Sequence, residues 1–208
     1  MLAIIDYEMG NVKSIKNAFE LLGEEIIITD ERNKISEAEA IILPGVGAFS
    51  DGMHKLERKN LLPILETEVL EKKKPYLGIC LGLEFLAKKS FEGGETNGFG
   101  WIDATVKKII PQEKSFKVPH MGWDDSLILD NKNLFKEIDI STFYFTHSYF
   151  VDVNENEKSI ITSVCDYGDV KITSSIEKNN IFAVQFHPEK SQSMGLKLLK
   201  NFIDVNLC

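Results

Sequence analysis

The sequence is poor in the residues on which several common protein architectures depend. It has only three cysteines, Cys80, Cys165 and Cys208, in 208 residues. Their odd number and wide spacing argue against a disulfide framework and predict no metal site. No apolar run approaches the roughly 20 residues that a membrane-spanning helix needs, and the early charge at Asp6 does not fit a signal peptide. We therefore expect a cytoplasmic protein that contacts no membrane.

Positive charge is also scarce, with 24 Lys and Arg against 32 Asp and Glu. The resulting net charge of -8 argues against general binding to nucleic acid. The length fits one domain over residues 1–208, and a hydrophobic content of 43% is typical of a globular core.

What the sequence does have is an alternation of strand and helix patterns over its first 90 residues. Strands are predicted at 2–5, 25–29, 40–43 and 76–79, and helices at 12–22, 61–73 and 81–89. After a glycine-rich loop at 93–100, strands are predicted at 104–110, 142–150, 159–165, 170–177 and 181–186, before a final amphipathic helix. This order predicts a single α/β domain with helices on both faces of a mixed, largely parallel central sheet.

One cysteine lies between two glycines at a predicted strand-to-helix junction. The segment is Gly78-Ile79-Cys80-Leu81-Gly82, the cysteine counterpart of the G-x-S-x-G turn that exposes a nucleophile above a sheet. The following helix would point its free N–H groups at the sulfur and favour the thiolate. Taken alone, the motif fits a small buried cysteine equally well.

A nucleophilic cysteine needs a base, and His187 is the best placed of the four histidines. Pro188 favours an extended conformation at His187, and residues two apart in an extended segment project to the same side. The carboxylate of Glu189 can therefore orient the imidazole, which predicts a catalytic triad of Cys80, His187 and Glu189.

A second glycine pair follows the predicted strand at 40–43, in Pro44-Gly45-Val46-Gly47. Such a loop can turn backbone N–H groups outward, as an oxyanion hole requires. We predict that Val46 and Gly47 form this hole together with the backbone N–H of Leu81.

Several segments together resemble the class I glutamine amidotransferases, and within that class the glutaminase subunits of imidazole glycerol phosphate synthase. They are Ile4-Ile5-Asp6-Tyr7 with Met9-Gly10-Asn11, Leu43-Pro44-Gly45-Val46-Gly47-Ala48-Phe49 with Asp51-Gly52-Met53, Leu77-Gly78-Ile79-Cys80-Leu81-Gly82, Val118-Pro119-His120-Met121-Gly122-Trp123, Phe145-Thr146-His147-Ser148-Tyr149 and His187-Pro188-Glu189-Lys190-Ser191. They run in order along nearly the whole chain.

The resemblance implies a three-layer fold and a glutaminase that forms a thioester at Cys80. It also implies a heterodimer in histidine biosynthesis, in which ammonia passes to a cyclase partner with a (β/α)8 barrel. No metal or organic cofactor is implied. The implied contacts to L-glutamine are Gly47, Glu84, Glu92, Ser148 and Tyr149. The implied partner-facing residues are Asn11, Met121, Trp123, Tyr144 and Lys190, although Trp123 also fits a core tryptophan.

The chain departs from the family pattern at four positions. Glu84 stands where glutamine is usual, Leu83 where methionine is usual, Glu8 where glycine is usual and Asp124 where asparagine is usual. Two alternatives therefore stay open. One is a paralogous subunit that supplies ammonia for nucleotide-sugar amidation in surface polysaccharide synthesis. The other is a non-catalytic binding subunit, in which Glu84 has abolished the use of glutamine.

Overall fold

The computed structural model describes residues 1–138 and 141–207, so Cys208 lies outside the described residues. In chain order the helices and strands are β1 Leu2–Ile5, α1 Val12–Leu21, β2 Ile26–Thr29, α2 Arg32–Glu37, β3 Ala40–Gly45, α3 Phe49–Arg58, α4 Leu62–Glu66, β4 Tyr76–Cys80, α5 Leu81–Glu84, β5 Lys89–Ser90, β6 Thr96–Asn97, β7 Ala104–Lys108, β8 His120–Asp125, β9 Leu127–Ile128, β10 Thr142–His147, β11 Tyr149–Val153, β12 Ile161–Tyr167, β13 Val170–Lys178, β14 Ile181–Val184 and α6 Gln192–Leu207.

An eight-stranded sheet runs through the centre, in the order β2-β1-β3-β4-β14-β13-β12-β9. Neighbours from β2 to β14 pair in parallel, and neighbours from β14 to β9 pair antiparallel. The prediction of a mixed, largely parallel central sheet is therefore confirmed. None of the helices in the described residues is long and apolar enough to cross a membrane.

The two faces of this sheet bury separate hydrophobic clusters, which makes three layers. Along β3, Ala40 and Ile42 pack into one cluster while Ile41 and Leu43 pack into the other, because successive side chains of a strand point to opposite faces. The first cluster is covered by α1, α6 and β10, and the second by α2 to α5, β7 and β11.

The helix predicted at 81–89 is wrong beyond Glu84, where α5 ends. The carbonyl oxygens of the next turn accept hydrogen bonds from the glycine-rich loop instead of from a continuing helix. Phe99 N–H donates to Phe85 and Gly100 N–H donates to Ala87, at 2.7 and 3.1 Å. This loop therefore ends the helix, and residues 89 and 90 form a short strand.

The single strand predicted at 142–150 is in fact two strands separated at Ser148. Before the break, β10 pairs with β8, and after it β11 pairs with β7, in a different sheet. The strand predicted at 159–165 begins later, at Ile161, because residues 155–160 form a 3-10 helix. The strand predicted at 181–186 ends at Val184. The helix predicted at 61–73 is present as α4 with a π-helical continuation to Glu71.

Apart from the two-residue strands β5, β6 and β9, the elements α2, α3 and β8 have no counterpart among the helices and strands predicted from the sequence. Helix α3 does carry a buried face of Phe49, Met53 and Leu56, but Gly52 interrupts the pattern. That glycine is a packing feature, since a Cβ there would lie 2.4 Å from the ring of Phe85. Strand β8 has only two apolar side chains, Met121 and Trp123, and both point to the exposed side, so it lacks the apolar alternation that identifies a half-buried strand.

Helix α5 approaches β3 so closely that Gly82 leaves no room for a side chain. A Cβ on Gly82 would lie 1.9 Å from the carbonyl oxygen of Leu43, and a Cβ on Gly78 would lie 2.6 Å from the carbonyl oxygen of Gly82. Both obstacles are backbone atoms, which cannot turn aside as a side chain can. The two glycines that flank Cys80 are therefore required by backbone-to-backbone packing.

We expect Gly82→Ala to lower the free energy of unfolding by more than about 3 kcal/mol, because the methyl group must separate α5 from β3. Gly93→Ala is the matched control. A Cβ at Gly93 would meet nothing within 4 Å. The only cost of this substitution is that alanine must adopt the left-handed backbone at φ 66°, which destabilises the protein by about 1 kcal/mol. Urea denaturation measures both. A Gly82→Ala protein as stable as the Gly93→Ala protein would contradict the packing argument.

Candidate active site

Three parallel strands bring the predicted catalytic segments to one edge of the sheet. Strand β4 lies between β3 and β14, where Gly45 is the register partner of Cys80 and Val184 is the partner of Ile79. Because carboxyl ends of parallel strands meet at the same edge, the Val46-Gly47 loop, Cys80 and His187 all emerge there. Segments more than 100 residues apart in the sequence thus become neighbours.

Cys80 sits at a strained turn between β4 and α5. Its backbone has φ 54° and ψ -107°, a conformation that non-glycine residues rarely adopt and that clusters at functional sites. The side chain is almost buried, with 6% of the residue exposed. This backbone geometry is that of a nucleophile elbow, in which the turn presents the side chain above the sheet.

His187 and Glu189 form a buried ion pair one turn after β14. The imidazole Nδ1 lies 2.8 Å from Glu189 Oε1, and neither side chain is more than 3% exposed. The extended path predicted for this segment is wrong after His187, since Pro188–Lys190 is a 3-10 helix. The tight turn nevertheless returns the carboxylate to the imidazole, because Pro188 fixes the φ angle with which such a turn begins.

Backbone hydrogen bonds hold His187 in place from the neighbouring sheet. Its N–H donates to the Tyr144 carbonyl at 2.8 Å, and its own carbonyl accepts from the Ser191 hydroxyl at 2.7 Å. The Tyr144 N–H in turn donates to Ser191 Oγ at 3.0 Å. This closed set of bonds ties the imidazole-bearing residue to strand β10.

The second ring nitrogen of His187 is directed at the cysteine. Burial lowers the pKa of His187, but the neighbouring Cys80 and Glu189 outweigh burial and raise that pKa well above its ordinary value. The Nε2 atom has no hydrogen-bond partner among the described residues. It is therefore free to exchange a proton with a group that enters beside Cys80.

A cavity of about 270 Å³ opens beside Cys80, near the low end of the range for small-molecule sites. All the predicted oxyanion-hole and substrate-binding residues line it. Its lining comprises Val46, Gly47, Cys80, Leu81, Glu84, Glu92, Pro119, Thr146, His147, Ser148 and Tyr149. His187 and Glu189 are not among these lining residues.

Glu84 is an acid buried in the wall of this cavity. Burial is the main cause that raises the pKa of Glu84 to about 8. A hydrogen bond from Gln185 opposes that rise, and the nearby charge of Glu92 adds to it. Glu84 is therefore protonated and neutral at pH 7. A neutral carboxylic acid can donate a hydrogen bond to a substrate carboxylate, so Glu84 does not repel an amino acid's α-carboxylate.

Two residues of the site were not given a role from the sequence. Gln185 is fully buried, and its amide nitrogen lies 3.1 Å from Glu84 Oε1 and 3.8 Å from Cys80 Sγ. Tyr7 donates to the Pro44 carbonyl at 2.7 Å and occupies the space where Gly45 lacks a side chain. A polar side chain at the end of an apolar strand is the signal that could have identified Gln185.

The predicted partner-facing residues lie largely at one exposed surface. Met121 and Trp123 are 62% and 48% exposed, so the interpretation of Trp123 as a core residue is wrong. The Trp123 and Tyr144 rings pack edge to face at 6.1 Å, and Lys190 Nζ lies 5.5 Å from the Tyr144 ring. Asn11 is exposed at the start of α1, where its side chain caps the helix through the Ser14 N–H.

Comparison with known proteins identifies the class to which this fold and site belong. The family profile of glutamine amidotransferase class-I matches residues 3–205. A solved structure described as a glutamine amidotransferase superposes with a TM-score of 0.72 at 17% identity, covering 98% of each chain. At this identity the superposition supports the fold alone.

Two relatives define the family more narrowly. The imidazole glycerol phosphate synthase subunit HisH 2 of Methanococcus maripaludis is 46% identical over 204 residues, covering 98% of each chain. The subunit HisH 1 of Campylobacter jejuni is 41% identical over 204 residues, covering 98% of this chain and 99% of its own. The chain therefore belongs to the class I glutamine amidotransferases and, within them, to the HisH family.

The buried acid at Glu84 predicts a pH-dependent stability. Its folded pKa of about 8 exceeds the ordinary value of 4.5. The contribution of Glu84 to stability is therefore complete below about pH 4.5 and is lost as the pH rises to 8. Glu84→Gln cannot ionise at this position. The difference in free energy of unfolding between this variant and the wild type should therefore shift in favour of the variant from pH 4.5 to 8 and stay constant above pH 8.

Urea denaturation across pH 4 to 9, values that bracket this window, measures the difference. Glu20→Gln, on the exposed side of α1, controls for removal of a charge as such. Parallel stability curves for the wild type and Glu84→Gln would show that Glu84 ionises in the folded protein as it does in water.

Proposed function

We propose that this chain is the glutamine-hydrolysing subunit of an imidazole glycerol phosphate synthase, acting in the cytoplasm in histidine biosynthesis. The observation that carries the proposal is the junction of β3, β4 and β14, where Cys80 at its strained turn faces the His187–Glu189 pair. The names of the relatives at 41–46% identity support the choice of pathway.

The chemistry begins with attack of Cys80 Sγ on the carboxamide carbon of L-glutamine. The carbonyl π bond opens, and the negative oxygen is held by backbone N–H groups of Val46, Gly47 and Leu81, which line the cavity. His187 Nε2 delivers a proton to the departing nitrogen, so the C–N bond breaks, ammonia leaves and a thioester remains.

Water completes the reaction at the thioester. His187 Nε2 accepts a proton from the water as its oxygen attacks, and the C–S bond breaks to release glutamate and restore Cys80. Glu189 keeps Nδ1 protonated and the ring oriented through both steps, at 2.8 Å. The sum is glutamine and water to glutamate and ammonia, with no metal or organic cofactor.

The substrate's amino acid end meets two carboxyl groups with different tasks. Glu92 accepts from the Phe49 N–H through one oxygen, at 2.7 Å, which fixes its carboxylate in the cavity wall for the α-ammonium group. Glu84, held neutral by burial, donates to the α-carboxylate. Ser148 and Tyr149, which also line the cavity, complete the substrate site.

Ammonia passes to a cyclase subunit with a (β/α)8 barrel, which forms a heterodimer with this chain. The cluster of Met121, Trp123, Tyr144 and Lys190 is the proposed docking surface, and Asn11, exposed at the start of α1, is a further proposed contact. Direct transfer matters chemically because ammonia released to water at neutral pH is protonated and loses its nucleophilic lone pair.

Substitutions in the proposed triad test the chemistry. With the cyclase present, Cys80→Ala should lower glutamate release by at least about 10⁴-fold, and Glu189→Gln by about 10² to 10⁴-fold through loss of the correct imidazole tautomer. Cys208→Ala, which keeps Cys80, is the thiol control. Glutamate release is measured from purified complexes. A Cys80→Ala complex with wild-type glutamine-dependent activity would refute the mechanism.

Removal of an aromatic anchor tests the docking surface. Trp123→Ala should weaken cyclase binding by at least about tenfold, because exposed tryptophans that become buried at an interface are frequent hot spots. Leu21→Ala is the control, since Leu21 is 77% exposed at the far end of α1 from Asn11. Calorimetric titration of each variant with the cyclase gives the affinities. Equal affinities for both variants would place the interface elsewhere.

Glu84 favours one alternative function, the supply of ammonia for nucleotide-sugar amidation, because it departs from the usual glutamine within the cavity. Pairing the purified chain with a cyclase and, separately, with a sugar amidotransferase distinguishes the two acceptors. Glutamate release only with the cyclase supports the histidine pathway. Release only with the sugar enzyme supports the alternative, and release with neither supports a non-catalytic subunit.

A further inference from the structure

A second group of chemically active side chains lies between β8 and β12. His120 and Asp124, four residues apart, share one face of β8, and Cys165 reaches them from β12. One ligand atom from each lies within 4.8 Å of the others, and His120 Nε2 is 3.2 Å from Asp124 Oδ2. None of the three lines the cavity beside Cys80.

The hydrogen bonds of the neighbouring His147 determine which nitrogen of His120 carries a proton. His147 Nδ1 lies 2.7 Å from the Tyr149 carbonyl oxygen, which can only accept, so Nδ1 is the protonated nitrogen. His147 is 6% exposed and has no carboxylate beside it in these contacts, and an unpaired buried charge is costly. Its Nε2 is therefore an acceptor.

It follows that His120 donates from Nδ1 to His147 Nε2, across 3.0 Å. The neutral imidazole of His120 then keeps a lone pair on Nε2, which lies 3.2 Å from Asp124 Oδ2 without the alignment of a hydrogen bond. This buried atom has no hydrogen-bond partner among the described residues. A nitrogen lone pair and a carboxylate oxygen only 3.2 Å apart repel each other unless a cation lies close to both atoms.

We propose that His120 Nε2, an Asp124 carboxylate oxygen and Cys165 Sγ form a binding site for one zinc ion. Zinc accepts this combination of nitrogen, oxygen and sulfur ligands, and three protein ligands leave a fourth position for water. The N–H that His120 donates to His147 is the outer hydrogen bond by which proteins orient a metal-bound imidazole.

The arrangement also provides a route for the ion and a rigid frame. His120 and Cys165 are 2% and 1% exposed, whereas the Asp124 side chain is 36% exposed and opens the site to solvent. The Tyr167 ring stacks on the His120 ring at 4.1 Å and fixes its plane. On binding, the Cys165 S–H bond breaks as the zinc–sulfur bond forms, and the proton passes to solvent.

Cobalt titration of the chelator-treated protein tests the site directly, because cobalt bound to a thiolate gives a charge-transfer absorption. The wild type should bind one equivalent with that absorption, and zinc should displace it. Cys165→Ser should abolish the absorption, and Cys165→Ser and Asp124→Asn should each weaken zinc binding by more than about 100-fold, the upper range for loss of an outer hydrogen bond. Cys80→Ser, the thiol control, should retain binding.

Thermal denaturation of the same proteins keeps the test independent of any assay of glutamine hydrolysis. Saturating zinc should raise the melting temperature of the wild type and of Cys80→Ser, but not of Asp124→Asn, because only a site that binds the native state stabilises it. The partly exposed Asp124 provides a variant that should fold even if Cys165→Ser does not.

Two results would overturn the proposal. One is the absence of stoichiometric cobalt or zinc binding by the wild-type protein. That result would mean that a proton, and not a metal ion, lies between His120 and Asp124. The other is binding that survives Cys165→Ser and is lost in Cys80→Ser, which would place the metal at the cavity.

Discussion

The contact between Gly82 and the Leu43 carbonyl is the constraint on which the rest of the site depends. Because no side chain separates them, α5 begins directly after β4 and lies against the end of β3. The chain can make that turn only if Cys80 adopts a left-handed backbone. The same close approach packs Leu81 against Gly45, which precedes the Val46-Gly47 loop. The proposed nucleophile and the proposed anion-binding groups are therefore brought together by one close contact.

The features that could be predicted from the sequence are those encoded in a few adjacent residues. Glycine at 78 and 82, and His187 followed by Pro188 and Glu189, are short motifs that can be recognised without knowledge of the distant contacts that hold them in the fold. The helix predicted at 81–89 was wrong for the opposite reason. The loop that ends α5 captures carbonyl groups about a dozen residues earlier in the chain, and no local pattern encodes that competition.

The electrostatics of the site could not be predicted because they arise from residues that meet only through the fold. Gln185 reaches Glu84 across 101 positions in the sequence, and burial of this pair keeps Glu84 neutral at pH 7. Read alone, a glutamate in a substrate site suggests repulsion of a carboxylate. In the folded protein the neutral acid can donate a hydrogen bond, so the departure at position 84 is compatible with binding of an amino acid.

The path from the exposed aromatic cluster to His187, the proposed base, is short. Tyr144 packs against Trp123 at the surface, and its carbonyl accepts the backbone N–H of His187. Its own N–H is bonded to Ser191, which holds the other side of His187. A partner that shifts β10 must therefore stretch these bonds or carry His187 with it. Since the His187 ring faces Cys80, which lies at a strained turn, small displacements of that strand are enough to change the alignment of the proposed nucleophile and base.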